Sequence, residues 1–353
     1  MDRGRLGSAG LLAASMLTLA ALAAGVGDRV LHADAAGCRF TGVDRIVAVA
    51  DVHGAYDRFV EILKAAGLLD ERLRWTGGRT HLVQLGDVVD RGPDSAKALD
   101  LLERLQKDAA RAGGAVHQLL GNHEVMRMLG DLRYVSPGEY AAFVTSRSTD
   151  LRDAYVKSAA SANEPGREQP PLGFVEMRTS FGRNGRYGKL LRTLDAVVQI
   201  NGMLFVHGGI SPAVADLSCD AINQAVRREL GADIDQTRAE PLARLSARPD
   251  GPLWYRGLAE EPDAFASDVD DILTRQRARV IVIGHTVSPD GRIRMRFGGK
   301  VIQIDTGMQP AYVPRGRASA LEIAGGVMSA IYADRRDVLA TVAEPAGAVA
   351  PAR

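Results

Sequence analysis

From about Arg45 onward, short runs of aliphatic and β-branched residues alternate with stretches whose apolar positions recur every three or four. The runs RIVAVAD (45–51), THLVQLGD (80–87), AVHQLLGN (115–122), MLFVHGG (203–209) and RVIVIGHT (279–286) read as buried strands. YDRFVEILKAAGLL (56–69) predicts an amphipathic helix with Phe59, Ile62, Leu63 and Ala66 on one face. PDSAKALDLLERLQKDAARAG (93–113) predicts another, entered through Pro93 and Asp94 and stopped at Gly113. The segments VIQIDTG, ALEIAGG and VMSAIYA are β-rich and close the pattern. Strands alternating with helices imply an α/β fold, a layered sandwich of mixed sheets flanked by helices. Over residues 125–199 the alternation lapses into helix-like pieces and the loop SANEPGREQPPLG (161–173), which reads as an insertion into a catalytic domain covering about 40–340. The Ala/Pro-rich end, 341–353, reads as disordered.

The first residues stand apart from this pattern. Arg3 and Arg5 precede an Ala/Leu-rich run from Ala9 to Val26, the layout of an export signal spanning 1–35. Ala33-Asp34-Ala35 is one cleavage candidate and Ala21-Leu22-Ala23 another, and an uncleaved membrane anchor is the alternative. The expected location is therefore periplasmic or secreted, with no stable membrane contact once the signal is removed. Cys38 and Cys219 are the two cysteines, and sequence alone leaves open whether they pair. A formal net charge of +1 over 353 residues argues against nucleic-acid binding through a basic face.

Chemistry enters at the ends of the predicted strands. VADVHG carries Asp51 and His53; LGDVVDRG carries Asp87, Asp90 and Arg91; LLGNHE carries Asn122, His123 and Glu124; VHGG and GHT carry His207 and His285. Open α/β sheets bind ligands at the carboxyl ends of their strands. Four of the seven histidines stand at such ends within two residues of a glycine, whereas His32, His81 and His117 lack that company. Two divalent cations about 3.5–4 Å apart can clamp both oxygens of a phosphoester displacement. A set of carboxylate, amide and imidazole donors suits manganese, iron or zinc. Asp87, on the second strand, is the candidate for a carboxylate shared by both ions, which would supply the counter-charge its surroundings lack.

The order D-x-H-G, G-D-x-x-D-R-G, G-N-H-E, H-G-G, G-H-T resembles the calcineurin-like metallophosphoesterases, over about residues 45–310. Arg91-Gly92 is similar to the phosphoprotein phosphatase branch. GDVVDRG, GRYGKLLRTLDAVVQINGMLFVHGG and PLWYRG look like the Shewanella-like bacterial phosphatases within it. The resemblance implies that Asp51, His53 and Asp87 hold one metal and Asp87, Asn122, His207 and His285 the other. It also implies that His123, oriented by Asp90, protonates the leaving oxygen, that Arg91 grips phosphate, and that Arg256 of PLWYRG is a second phosphate arginine. A hydroxide between the cations would attack phosphorus. The implied substrate is a phosphorylated protein or small phosphoester, on tyrosine or on serine/threonine. Val88 stands where eukaryotic members usually carry tyrosine, and TGMQPAYVPRG replaces their S-A-P-N-Y segment, which puts their mode of regulation in doubt but not the chemistry.

Rival chemistries fail within the sequence. A cysteine phosphatase needs C-x5-R, but Asp44 and Ala225 stand at the required positions. GRNGRYGK (182–189) has Arg183 where a P-loop needs its first glycine, and reads as a basic loop. DVDDI (268–272) has no strand before it and reads as a solvated helix start, not an aspartyl nucleophile. A dinucleoside tetraphosphatase shares the site and remains the alternative activity. A silent metal-binding scaffold would not need Asp90, Arg91 and His123.

Overall fold

The structure, a computed structural model, describes residues 37–161 and 169–341. The segment expected to be an export signal and all but the first residue of the C-terminal tail lie outside the described residues. The strands, in chain order, are β1 (Arg39–Phe40), β2 (Arg45–Val49), β3 (His81–Gln84), β4 (Ala115–Gln118), β5 (Val197–Ile200), β6 (Met203–Val206), β7 (Val280–Ile283), β8 (Arg294–Arg296), β9 (Val301–Gln303), β10 (Ser319–Ala324), β11 (Val327–Tyr332) and β12 (Arg336–Thr341). They form two six-stranded sheets, ordered β1-β5-β6-β7-β9-β8 and β12-β11-β10-β2-β3-β4. Both are mixed: β2-β3-β4 and β6-β7-β9 are parallel, and the remaining neighbours are antiparallel except for β1 with β5.

Strand alternation builds two cores. Ile46 and Ala48 of β2 pack with Val83, Leu119, Phe205, Val282 and Leu321 between the sheets. Their neighbours Val47 and Val49 face the other way, into a core shared with the helices. A strand buried on both faces reads as a continuous apolar run, which is why these strands were legible. Helix α1 (Tyr56–Ala65) buries Phe59, Ile62 and Leu63, and α2 (Ser95–Arg111) buries Leu99, Leu102 and Leu105. Both helices stop short of the predicted ends. Every predicted strand also ends earlier than its apolar run suggests, so the chemistry-bearing residues occupy the loops just beyond or, for Asn122, His123 and Glu124, the first turn of the helix that follows. The weakly patterned strands β1, β5, β8 and β12 escaped the sequence reading.

Among the described residues, five helices lie between β4 and β5: α3 (Asn122–Leu129), α4 (Pro137–Ala141), α5 (Ser148–Ser161), α6 (Phe174–Phe181) and α7 (Arg186–Leu191). The sheet resumes at Val197, slightly before the anticipated end of the insertion. Tyr187 of α7 donates to Asp100 of α2 (2.9 Å) and tethers this helical layer to the helix that covers the β2-β3-β4 sheet. Cys38, just before β1, is bonded to Cys219, the first residue of α8 (Cys219–Leu230), which packs against β5; both cysteines are buried.

Candidate active site

The parallel registers place the ends of β2, β3 and β4 side by side, and likewise those of β6, β7 and β9. The loops leaving them converge on one edge. Five of the residues there, His53, Asp87, Asp90, Arg91 and His285, have φ between 48° and 72°. For side chains other than glycine that left-handed conformation costs roughly 1–2 kcal/mol each. Cross-loop hydrogen bonds maintain it: Val52 and His53 both donate to the Asp87 carbonyl (2.9 Å each), and Gly54 donates to Val88 (2.9 Å). Gly284 is required by proximity, since a Cβ there would lie 2.7 Å from Asp51 Oδ1.

Asp87 sits at the centre. Its Oδ2 lies 3.3 Å from His207 Nε2, 3.6 Å from His53 Nε2 and 3.9 Å from His123 Nε2. Asp51 Oδ2 is 3.7 Å from His53 Nε2. His207 Nε2 also meets Asn122 Oδ1 (3.0 Å) and His285 Nδ1 (3.1 Å). The opposite nitrogen of each ring has a carbonyl partner: His53 Nδ1 with Val89, His207 Nδ1 with Leu85, and His285 Nε2 with Trp254. Those acceptors select the tautomer that leaves a lone pair on the inward nitrogen, as metal ligation requires.

The six residues expected at the metals, Asp51, His53, Asp87, Asn122, His207 and His285, are thus brought together, all of them buried. Two triads share Asp87, one with His53 and His123 and the other with His207 and His285, their ligand atoms within 4.8 Å of one another. The donor set fits a dinuclear metal centre. His123 belongs to the first triad by distance, but it differs from the other rings in having a carboxylate on its outer nitrogen. Its Nδ1 meets Asp90 Oδ2 at 2.7 Å, and its Nε2 lies 3.3 Å from Arg91 Nη2.

The electrostatics agree with a site built for cations. Burial opposes charge on His207, yet Asp87 and Asp51 outweigh it and push the ring up to about 9. Burial, reinforced by Asp305, raises Asp51 well above the usual carboxylate range. Asp87 is also penalised by burial, but the facing His207, His123 and His53 hold it well below that range. Burial pushes His53 down to about 3 and His285 well down, so both are neutral imidazoles able to ligate.

The role of Glu124 and several further contributors, Arg127, Asp305, Tyr134 and Tyr312, lay beyond the sequence reading. The Glu124 carboxylate accepts from the backbone of Gly121, Asp87 and Val88 (2.8 Å each) and of Val89 (3.3 Å), clamping the Asp87 loop to the start of α3. Arg127 is fully buried and joins Asp90 to Glu139, donating to Glu139 Oε1 at 2.8 Å. Asp305, two residues past β9, lines the same pocket, and burial raises it to about 6. It stands at the end of VIQIDTG, so the strand-end criterion would have found it. The guanidinium of Arg91 lies 3.4 Å from the ring centre of Tyr312 and 5.1 Å from that of Tyr134. Arg256 also reaches the pocket, donating to the His285 carbonyl and Thr286 Oγ1 (3.0 Å each). Arg183 does not: it lines a different cavity.

The sequence profile of the calcineurin-like phosphoesterase family matches residues 44–289, and the chain belongs to that family. It is a metallophosphoesterase related to the Shewanella-like protein phosphatases. Shewanella-like protein phosphatase 2 of Arabidopsis thaliana is 31% identical over 289 residues, covering 76% of this chain and 73% of that one. An uncharacterized protein of Schizosaccharomyces pombe is 31% identical over 297 residues, with 81% and 80% covered. Among solved structures, the cold-active protein-tyrosine phosphatase of a psychrophilic Shewanella species aligns with a TM-score of 0.68 at 29% identity, covering 86% of this chain and 82% of that one.

Proposed function

We propose that this protein is a phosphoprotein phosphatase of the exported compartment, hydrolysing phosphate monoesters on tyrosine in preference to serine or threonine. The observation that carries the reading is the Asp90–His123–Arg91 group set directly against the Asp87 cage, which metal storage alone would not need. Divalent cations held by Asp51, His53 and Asp87 and by Asp87, Asn122, His207 and His285 would polarise the phosphoryl oxygens and acidify the attacking water. Arg91, its guanidinium lying over the rings of Tyr312 and Tyr134, offers a fork to the equatorial oxygens. Arg256 faces the same pocket and can share that load. His123 hands its Nε2 proton to the leaving oxygen, while Asp90 fixes the ring and stabilises its charged form. Tyr134 and Tyr312, each nearly half exposed at the rim, offer aromatic faces to an aryl ester. The similarity to a protein-tyrosine phosphatase supports the same choice. Export is supported by the buried Cys38–Cys219 bond, a feature of oxidising compartments.

Turnover with added manganese, measured in parallel on phosphotyrosine, phosphoserine and phosphothreonine peptides and on a dinucleoside tetraphosphate, tests the activity. The phosphotyrosine peptide is expected to lead by about tenfold in kcat/KM. Faster cleavage of the tetraphosphate would replace this reading with a nucleotide hydrolase. Recovery of the native chain in the cytoplasmic fraction would remove the export assignment.

A further inference from the structure

A second cavity, of about 460 Å³, lies among the end of α3, α6, the loop into α7 and the segment around Ile234 and Arg238. None of the residues assigned to the metals or to phosphate lines it. Four arginines, Arg178, Arg183, Arg192 and Arg238, stand around it with a single carboxylate, Asp235. Asp235 is already engaged, accepting from Arg238 at 2.8 Å. Arg192 donates to the carbonyls of Leu230 (2.9 Å) and Gly188 (2.7 Å), so its partners there are neutral. Burial, together with the charges of Arg183 and Arg238, lowers its proton affinity. Arg127 completes the wall. Its two terminal nitrogens serve Asp90 and Glu139, but its buried Nε has no partner among the described residues.

Arg178, Arg183 and Arg238 are exposed and Arg192 is half-buried, and a concave wall backed by buried Met177 and Phe181 gathers them around one cavity. Grouped guanidinium groups around a pocket are the donor set for a tetrahedral oxyanion. We propose that this cavity is a second anion site, binding a phosphate-class oxyanion separately from the metal-centred pocket. Arg127 belongs to both neighbourhoods, since it lines the cavity and holds Asp90 behind His123. An occupant there therefore sits one residue removed from the Asp90–His123 pair.

Calorimetric titration of the full chain with inorganic phosphate, with manganese added, tests the site. Two phosphates per chain are expected, one at Arg91 and one here. Arg183→Gln with Arg238→Gln should abolish one or weaken it at least about tenfold. The same variant should keep kcat/KM on an aryl phosphate within about twofold, because surface substitutions away from the chemistry change little. Asp235→Asn, which removes the carboxylate, should tighten that site by about threefold. Arg91→Ala should retain the second phosphate. A single phosphate per chain that survives the paired arginine change, two that survive it, or loss of both in Arg91→Ala would each overturn the proposal. Failure of the phosphatase reading appears separately, as absent peptide turnover with this stoichiometry intact.

Discussion

Asp87 carries more of the site than any other side chain. Its Oδ2 faces three imidazoles, and its Oδ1 accepts from the His123 amide at 2.9 Å. Asp87→Asn preserves volume and the latter contact but removes the charge two cations would share. We expect hydrolysis of a generic aryl phosphate to fall to background while circular dichroism stays native; near-normal turnover would refute the shared-carboxylate assignment. His123 is probed by comparing leaving groups. His123→Asn should slow alkyl phosphates by about 10²–10⁴ and aryl phosphates much less, because phenolate needs little protonation. Equal losses on the two esters would take the proton-donor role away from His123. At this scale the sequence was legible wherever a residue type stood at a strand end beside glycine. It was silent on Tyr312, whose value comes only from lying over Arg91.

Elements set these residues at their angles. The first turn of α3 is held to the Asp87 loop by one carboxylate, Glu124, which accepts four backbone N–H groups. In Glu124→Gln the amide nitrogen would turn a donor toward donors, leaving buried N–H groups unmet. A loss of about 2–4 kcal/mol in urea unfolding is expected, with weaker metal binding; an unchanged midpoint would show that the loop is held by something else.

On the neighbouring strands β3 and β4, His81 and His117 meet at 3.0 Å against Phe40. Burial pushes them down to about 4 and about 3 respectively. An unfolded histidine takes up its proton near pH 6.5, so below that point the unfolded chain binds more protons than the folded one. Stability should accordingly fall as pH drops from about 7 toward 4, the loss ending only as the folded rings titrate. The double variant His81→Gln with His117→Gln should show a shallower acid limb in melts taken across that range. An identical limb would mean that these rings are not neutral in the fold.

For the whole molecule, the Cys38–Cys219 bond ties the chain entering β1 to α8 across 181 residues of sequence. Closing so long a loop restricts the unfolded chain and is worth about 2–4 kcal/mol. Reduction is expected to lower the melting temperature by roughly 5–10 °C. No shift on reduction would show that the bond contributes nothing to stability.

The sequence by itself determined the alternation of strands and helices and the residue types that gather at the strand ends. Both are local properties: burial on two faces writes a continuous apolar run, and a loop's chemistry is carried by its own few residues. Only the tertiary structure decided which ring nitrogen points inward, since carbonyls of Val89, Leu85 and Trp254 make that choice. It alone brought Asp51 within 3.0 Å of the His285 amide, across 234 residues of chain. The buried Arg127–Glu139 support and the arginine-lined cavity are of the same kind. They depend on side chains from separate helices meeting in space, and no periodicity along a chain encodes such a meeting.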